Sequence, residues 1–244
     1  MHRFYADPML SDERCFFLNA DDTVHAVKVL RMQQGDRAEI ISGGQRFLAA
    51  VESTAGDRTE FLPVSLLPST EPAVSFTLFQ GLPKGDKMDW IAQKATELGA
   101  VRIVPVFFSR CIVRLAAKEA RKKQERWQKI AREAGKQSGR CRIPEVTLPV
   151  SVSDMCSLFS ALDQVAVPWE ECPDGGPLSF VRRHPSVSSL GIVIGPEGGI
   201  SAEEMAVLSG YGAEPVTLGK RILRTETAGL ASLSVFSALY GEME

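Results

Sequence analysis

With 244 residues, 44% hydrophobic and 24% charged, the chain has the apolar content of a packed protein with one large domain or two modest ones. Five widely spaced cysteines without a C-x-x-C pair, and three histidines without H-x-x-x-H spacing, argue against a disulfide framework and a zinc site. The net charge of −2 hides a strong asymmetry: Arg114 to Arg142 holds eleven basic and three acidic residues, so the remainder is acidic. Such a stripe suits a polyanion; the bland reading is a solvated helix with a basic bias.

In chain order, Met1 to Pro8 lacks the apolar run of a signal peptide, and no stretch reaches the roughly 20 residues needed to span a bilayer, so a cytoplasmic protein is expected. Cys15–Leu18 reads as a short strand, and Asp21 or Asp22 as the cap of a helix running to about Met32. On that helix His25, Lys28 and Arg31 recur every third residue and share a basic face suited to phosphates. Val24, Val27 and Leu30 form the neighbouring apolar stripe, expected to face a small barrel; Arg3, beside Phe4 and Tyr5, extends that basic surface. Strands follow at 38–41, 46–52 and 59–67, the first two joined by Ser42-Gly43-Gly44, a hairpin turn. Close-set short strands with glycine turns suggest a barrel over residues 1–70, and the proline-bearing stretch Leu67–Pro72 reads as a linker.

From residue 73 to 244 the pattern alternates between strands and helices. Val74–Gln80 is a strand, Asp86 caps a helix over Lys87–Leu98, and Gly99 ends it. Val101–Phe108 is the next strand, followed by the basic helix Ala116–Gly135, on which Trp127 and Ile130 read as core or interface. Further strands are expected near 164–167, 191–195 and 215–218. Ser201 with Glu204 is a capping-box signature for a helix to about Gly210. The last helix, from about Glu226 to Tyr240, is apolar nearly all round and so expected to be buried. Near-continuous apolar strands separated by helices imply an α/β domain with a mostly parallel sheet.

Two segments carry the chemistry. In Ile194-Gly195-Pro196-Glu197-Gly198-Gly199 a buried strand opens into a glycine-rich turn, where α/β proteins bind ligands and main-chain groups approach them closely. In Leu218-Gly219-Lys220-Arg221-Ile222-Leu223-Arg224 another strand ends at a glycine and leads into a helix capped by Thr225. Cations are disfavoured near a helix N-terminus, so Arg221 and Arg224 make sense there if they meet an anion or developing negative charge. Neither a G-x-G-x-x-G fingerprint nor a P-loop is present.

Taken together, these two segments with His25–Arg31, Lys94–Gly99 and Glu133–Arg140 resemble the bacterial 16S ribosomal RNA uracil-N3 methyltransferase family (RsmE) of the SPOUT superfamily, in family order across almost the whole chain. The resemblance implies a PUA-like RNA-binding barrel followed by an α/β domain with a trefoil knot, a topology that pattern alone would reject. It also implies S-adenosylmethionine as cofactor, a homodimer, and 16S rRNA in an assembled or assembling small subunit as partner, with no membrane. Under it, Ile194, Gly195, Pro196, Glu197, Gly198, Gly199, Leu218, Gly219, Ile222 and Leu223 are the cofactor candidates. Arg224, then Arg221, are the catalytic candidates, with phosphate positioning as their alternative role; Glu197 and Glu226 are the other possible proton acceptors. Arg3, His25, Lys28, Arg31, Arg132, Lys136, Gln137 and Arg140 are the RNA candidates. The rival readings are a ribose 2′-O-methyltransferase of the same superfamily and a non-catalytic RNA-binding protein.

Overall fold

The computed structural model describes residues 1–7, 14–54 and 58–243; Pro8 and Glu244, which bound two of the stretches read above, lie outside them. The chain divides into two compact units, Met1–Glu71 with Lys136–Arg142, and Pro72–Gly135 with Ile143–Glu244.

The first unit is a five-stranded sheet of β1 (His2–Tyr5), β2 (Phe16–Phe17), β3 (Arg37–Ser42), β4 (Gln45–Ser53) and β5 (Glu60–Leu67), in the order β1-β3-β4-β5-β2. A bridge between Ala6 and Leu18, with the Asp7 N–H donating to the Phe17 carbonyl, joins the two edge strands and closes the sheet on itself. Closure removes free edges, and Phe4, Phe16, Leu18, Ile40, Val51 and Phe61 fill the interior. Gly43 and Gly44 turn β3 into β4 at φ 58° and 78°, a two-residue hairpin that matches strand twist.

The helix of this unit departs from expectation. Asn19, not an aspartate, caps α1 (Ala20–Val24), its side chain accepting from the Asp22 N–H. The chain then widens into a π turn over His25–Val29, and Arg31 ends it at φ 54°. Bonds to the fifth residue rotate the stripe that a 3.6-residue period places against the sheet. Thr23 and Ala26 are buried and Val24 is exposed, which corrects the place of Val24 in the stripe, while Leu30 packs against the sheet's core as expected and Val27 is half-buried. His25, Lys28 and Arg31 remain exposed, without regular helical spacing behind them.

The stretch read as a linker ends in an anchored residue. Glu71 accepts from the Cys141 and Arg142 N–H groups at 2.6 and 3.1 Å and from the Arg140 guanidinium at 2.7 Å. The Thr70 hydroxyl donates to the Gly139 carbonyl.

The second unit is a parallel sheet of β6 (Ser75–Gly81), β7 (Ala100–Phe107), β8 (Glu145–Val146), β9 (Val150–Ser151), β10 (Gln164–Pro168), β11 (Ser189–Ile194) and β12 (Glu214–Val216). Its order is β12-β10-β11-β6-β7-β8, with β9 also on β7, so β11 is inserted between two strands that precede it in sequence. The helices are α2 (Lys87–Glu97), α3 (Ala117–Ser138, its last turn in the first unit), α4 (Val152–Ser157), α5 (Pro177–Arg183), α6 (Ala202–Gly210) and α7 (Thr225–Leu239). The Ser201–Glu204 capping box forms in full at the start of α6. Trp127 is in the core. α7 turns Gly229, Ser232, Leu233 and Phe236 inward while Val235 is exposed, so one face is buried rather than the whole surface.

Among the described residues no helix is long and apolar enough to cross a membrane, and no cluster of His, Cys, Asp or Glu is placed to hold a metal ion.

Candidate active site

Three neighbouring parallel strands, β12, β10 and β11, end side by side, and ligands bind α/β sheets outside such carboxyl ends. A cavity of about 690 Å³ opens there, within the range of small-molecule sites. It is lined by Gly195-Pro196-Glu197 and Gly199 after β11, by 217–224 after β12, and by Trp169 and Glu170 after β10. The two glycine-entered segments read from sequence therefore face one space.

The turn after β11 owes its shape to close packing. A side chain on Gly81, at the end of β6, would collide with Gly195 and Pro196, and one on Gly195 would press on Ile200. Gly199 sits at φ 74°, and a Cβ there would overlap the Glu170 carboxylate. The Gly199 N–H closes the turn on the Pro196 carbonyl. Gly198 does not line the cavity: its carbonyl accepts from the Arg110 guanidinium at 3.1 Å and its α-carbon packs on Arg110. It thus braces the turn through Arg110.

The segment after β12 is held at its ends and open between them. Thr217 donates its N–H to the Gly175 carbonyl, and its hydroxyl accepts from the Gly219 N–H. Among the described residues no hydrogen bond engages the main chain of Leu218, Ile222 or Leu223. A main chain bordering a cavity with its polar groups unspent is suited to a polar ligand. Apolar contact comes from Ile194, Ile200, Leu218, Leu223 and Ala228; Ile222 lines the rim and is 87% exposed.

A buried hydrogen-bond chain stitches the two segments together. The Thr225 hydroxyl donates to the Gly195 carbonyl at 2.6 Å and accepts from the Gln80 amide at 2.8 Å, with Gln80 fully buried. This corrects the capping assignment. Arg224 is the N-cap residue, without a side-chain cap bond, and Thr225 is the first helical residue, its hydroxyl spent across the sheet.

Arg221 and Arg224 both line the cavity, exposed, and neither guanidinium has a hydrogen bond or ion pair among the described residues. Glu197 and Glu226 are engaged: the Lys87 ammonium lies 3.0 Å from one and 3.1 Å from the other, and the Lys84 N–H donates to Glu197. Burial works to raise the Glu197 pKa, but the Lys87 ammonium and the Lys84 N–H outweigh it and hold the carboxyl below its ordinary value. Lys87 in turn is raised by its hydrogen bond to Glu197 and then by the Glu226 carboxylate with which it forms an ion pair. A carboxylate so stabilised is a weak base.

Trp169, Glu170, Cys172 and Lys87 line the cavity without having been singled out in the sequence. The available signal was Trp169-Glu170 directly after a strand of a parallel sheet. The Trp169 indole donates to the Ile200 carbonyl, tying the β10 loop to the turn after β11.

Of the RNA candidates, His25, Lys28, Arg31, Arg132 and Gln137 are exposed. Arg3 pairs with Glu39 at 2.8 Å and Lys136 with Asp22 at 3.0 Å. Arg140 is 3% exposed, its guanidinium bound by Glu71, so its role is structural and it leaves the RNA set.

Residues 70–237 match a family described as RNA methyltransferase domain, and residues 18–60 one described as RNA methyltransferase PUA domain. The chain is 36% identical to ribosomal RNA small subunit methyltransferase E of Bacillus subtilis (strain 168), over 97% of this chain and 96% of that protein. It is 30% identical to the Mycobacterium tuberculosis protein of the same name, over 97% and 91%. The crystal structure of ribosomal RNA small subunit methyltransferase E from Neisseria gonorrhoeae bound to S-adenosyl methionine is similar with a TM-score of 0.82, at 32% identity and 100% of both chains.

Proposed function

The chain belongs to the ribosomal RNA small subunit methyltransferase E family, and from that membership we propose that it methylates ribosomal RNA with S-adenosylmethionine bound in the cavity after β10, β11 and β12. The observation that carries this is the convergence of both glycine-entered segments on one space bordered by unspent main-chain groups. The fit is chemical as well as spatial. Main-chain N–H and C=O groups suit adenine and ribose edges, Leu218 and Leu223 suit the faces of the adenine ring, and Glu170 adds an acceptor. Calorimetry with S-adenosylmethionine tests the site: saturable one-to-one binding per chain is expected, and no binding overturns the assignment.

The substrate position we propose is N3 of a uridine in 16S rRNA, within an assembled or assembling small subunit in the cytoplasm. When bound, the cofactor supplies an electrophilic methyl group. The protein's task is then to favour the uracil with its N3 proton removed, whose charge spreads onto the flanking carbonyl oxygens. Arg224, exposed at the cavity and without an ion pair or side-chain hydrogen bond among the described residues, is the group to meet that charge, with Arg221 second. The engagement of Glu197 and Glu226 by Lys87 speaks against either carboxylate as the proton acceptor. His25, Lys28, Arg31, Arg132 and Gln137 are the proposed RNA contacts, supported by exposure and, but for Gln137, basic character. Nucleoside mass spectrometry of 16S rRNA from a deletion strain decides the position: loss of 3-methyluridine is expected, and its retention overturns it.

Two further features belong to this reading. β11 inserted between β6 and β10, with α7 packed on β6, β11, α2 and α5, supports a trefoil knot in the second unit. The partly open face of α7, with Val235 exposed, supports a homodimer. Sedimentation at micromolar concentration should give twice the mass of one chain.

A further inference from the structure

Lys87 is the first residue of α2, where a cation is disfavoured by the helix dipole. Its ammonium is nonetheless placed between two carboxylates from different elements: Glu197 in the turn after β11, at 3.0 Å, and Glu226 in the first turn of α7, at 3.1 Å. The backbone of the same loop adds a third tie, the Lys84 N–H to Glu197 at 3.1 Å. All three charged side chains are at most a third exposed, and Lys87 borders the cavity. Without the ammonium, the two carboxylates would face each other uncompensated.

We propose that Lys87 is a positioning residue for the cofactor site, an ionic clamp that holds the turn Gly195–Gly199 and the N-terminus of α7 in register so that the cavity between them keeps its shape. It ties Glu197 to Glu226, each one or two residues beyond Gly195 and Thr225, which the buried Gln80–Thr225–Gly195 chain already joins. The clamp rests on the cofactor reading above. Its partners are the protein's own carboxylates, so it supports the charged cofactor and its neutral product equally. That separates it from a residue that touches the ligand.

The test is calorimetry of wild type, Lys87→Met and Lys87→Arg with S-adenosylmethionine and S-adenosylhomocysteine, alongside thermal unfolding. Lys87→Met is expected to weaken both ligands by about tenfold or more, the scale of losing a hydrogen bond to a charged group, while Lys87→Arg restores most of the affinity. Unchanged affinity in Lys87→Met overturns the clamp. So does a change for S-adenosylmethionine alone, which would mean that the ammonium acts on the ligand's charge, or equal weakening in Lys87→Arg. Should Lys87→Met unfold, Glu226→Gln carries the same expectation, and unchanged affinity there is equally fatal. Absence of binding by the wild type defeats the site assignment rather than the clamp.

Discussion

At the scale of single residues, the structure separates cationic groups that are occupied from those that are available. Arg224 is available, and Arg224→Ala is expected to slow the single-turnover methylation rate at saturating RNA by about 10²–10³-fold, the range for losing one donor to a developing oxyanion. A changed RNA affinity with an unchanged rate would assign Arg224 to phosphate positioning instead. Arg140 is occupied: a buried guanidinium on a largely buried Glu71. Glu71→Ala removes the carboxylate of a buried ion pair and also frees the Cys141 and Arg142 N–H groups, so a loss of about 3–5 kcal/mol in chemical denaturation is expected. Gly199 is a third case. At φ 74°, with the Glu170 carboxylate where a Cβ would go, Gly199→Ala should distort the turn and weaken cofactor binding, measured by calorimetry.

The Lys87 group also gives a pH expectation. Glu197 has a lowered pKa, so its contribution is fully present above the ordinary carboxylate value of about 4.3 and is lost as pH falls through the lowered one. Lys87 has a raised pKa, so its charge persists past the ordinary lysine value of about 10.4. The clamp's contribution to cofactor affinity should therefore be flat between about pH 6 and 9 and be lost under strong acid, as Glu197 protonates, or strong alkali, as Lys87 loses its charge. A midpoint near neutrality would point to a different titrating group.

At the scale of elements, what could be read from sequence was whatever is decided within a few residues. The Ser201–Glu204 box, the Gly43-Gly44 hairpin and the glycine that ends each site strand are local devices, and they stand where their chemistry puts them. The π turn at His25–Val29 was illegible because its cause is tertiary: Thr23 and Ala26 are buried against the sheet, and the Thr23 hydroxyl receives the N–H of Thr59, just ahead of β5. Asn19 caps two or three residues ahead of Asp21 or Asp22, a shift of less than one helical turn. Between residues 143 and 190, β8, β9 and α4 escaped notice because each is two to six residues long, too short for a period to show. The cofactor segments were legible as turns, but the contributions of Trp169 and Glu170 follow from strand order, which places β10 between β11 and β12. Their own sequence shows only that they directly follow a strand of the parallel sheet.

Ion pairing at the α5–β12 junction belongs to this scale too. Glu214 accepts from Arg183 and His184, both at 2.7 Å, and Glu214→Gln should loosen α5 by less than about 1 kcal/mol because the group is partly exposed. Hydrogen exchange at 177–184 would register it, while activity should not change.

At the scale of the whole molecule, the first unit is discontinuous: residues 136–142 belong with residues 1–71. A fragment ending at Glu71 lacks Arg140 and the main-chain donors that satisfy Glu71, and should show a lower melting temperature by circular dichroism than one in which 136–142 is restored by a short loop. That arrangement also has a consequence in time. Translation delivers the amino end first, yet the last piece of this unit emerges only after Arg142, more than halfway along the chain. At about 5–20 residues per second the wait is roughly 4–14 s. During it the nascent barrel carries an uncompensated acidic anchor, and its completion is timed by the synthesis of the other unit.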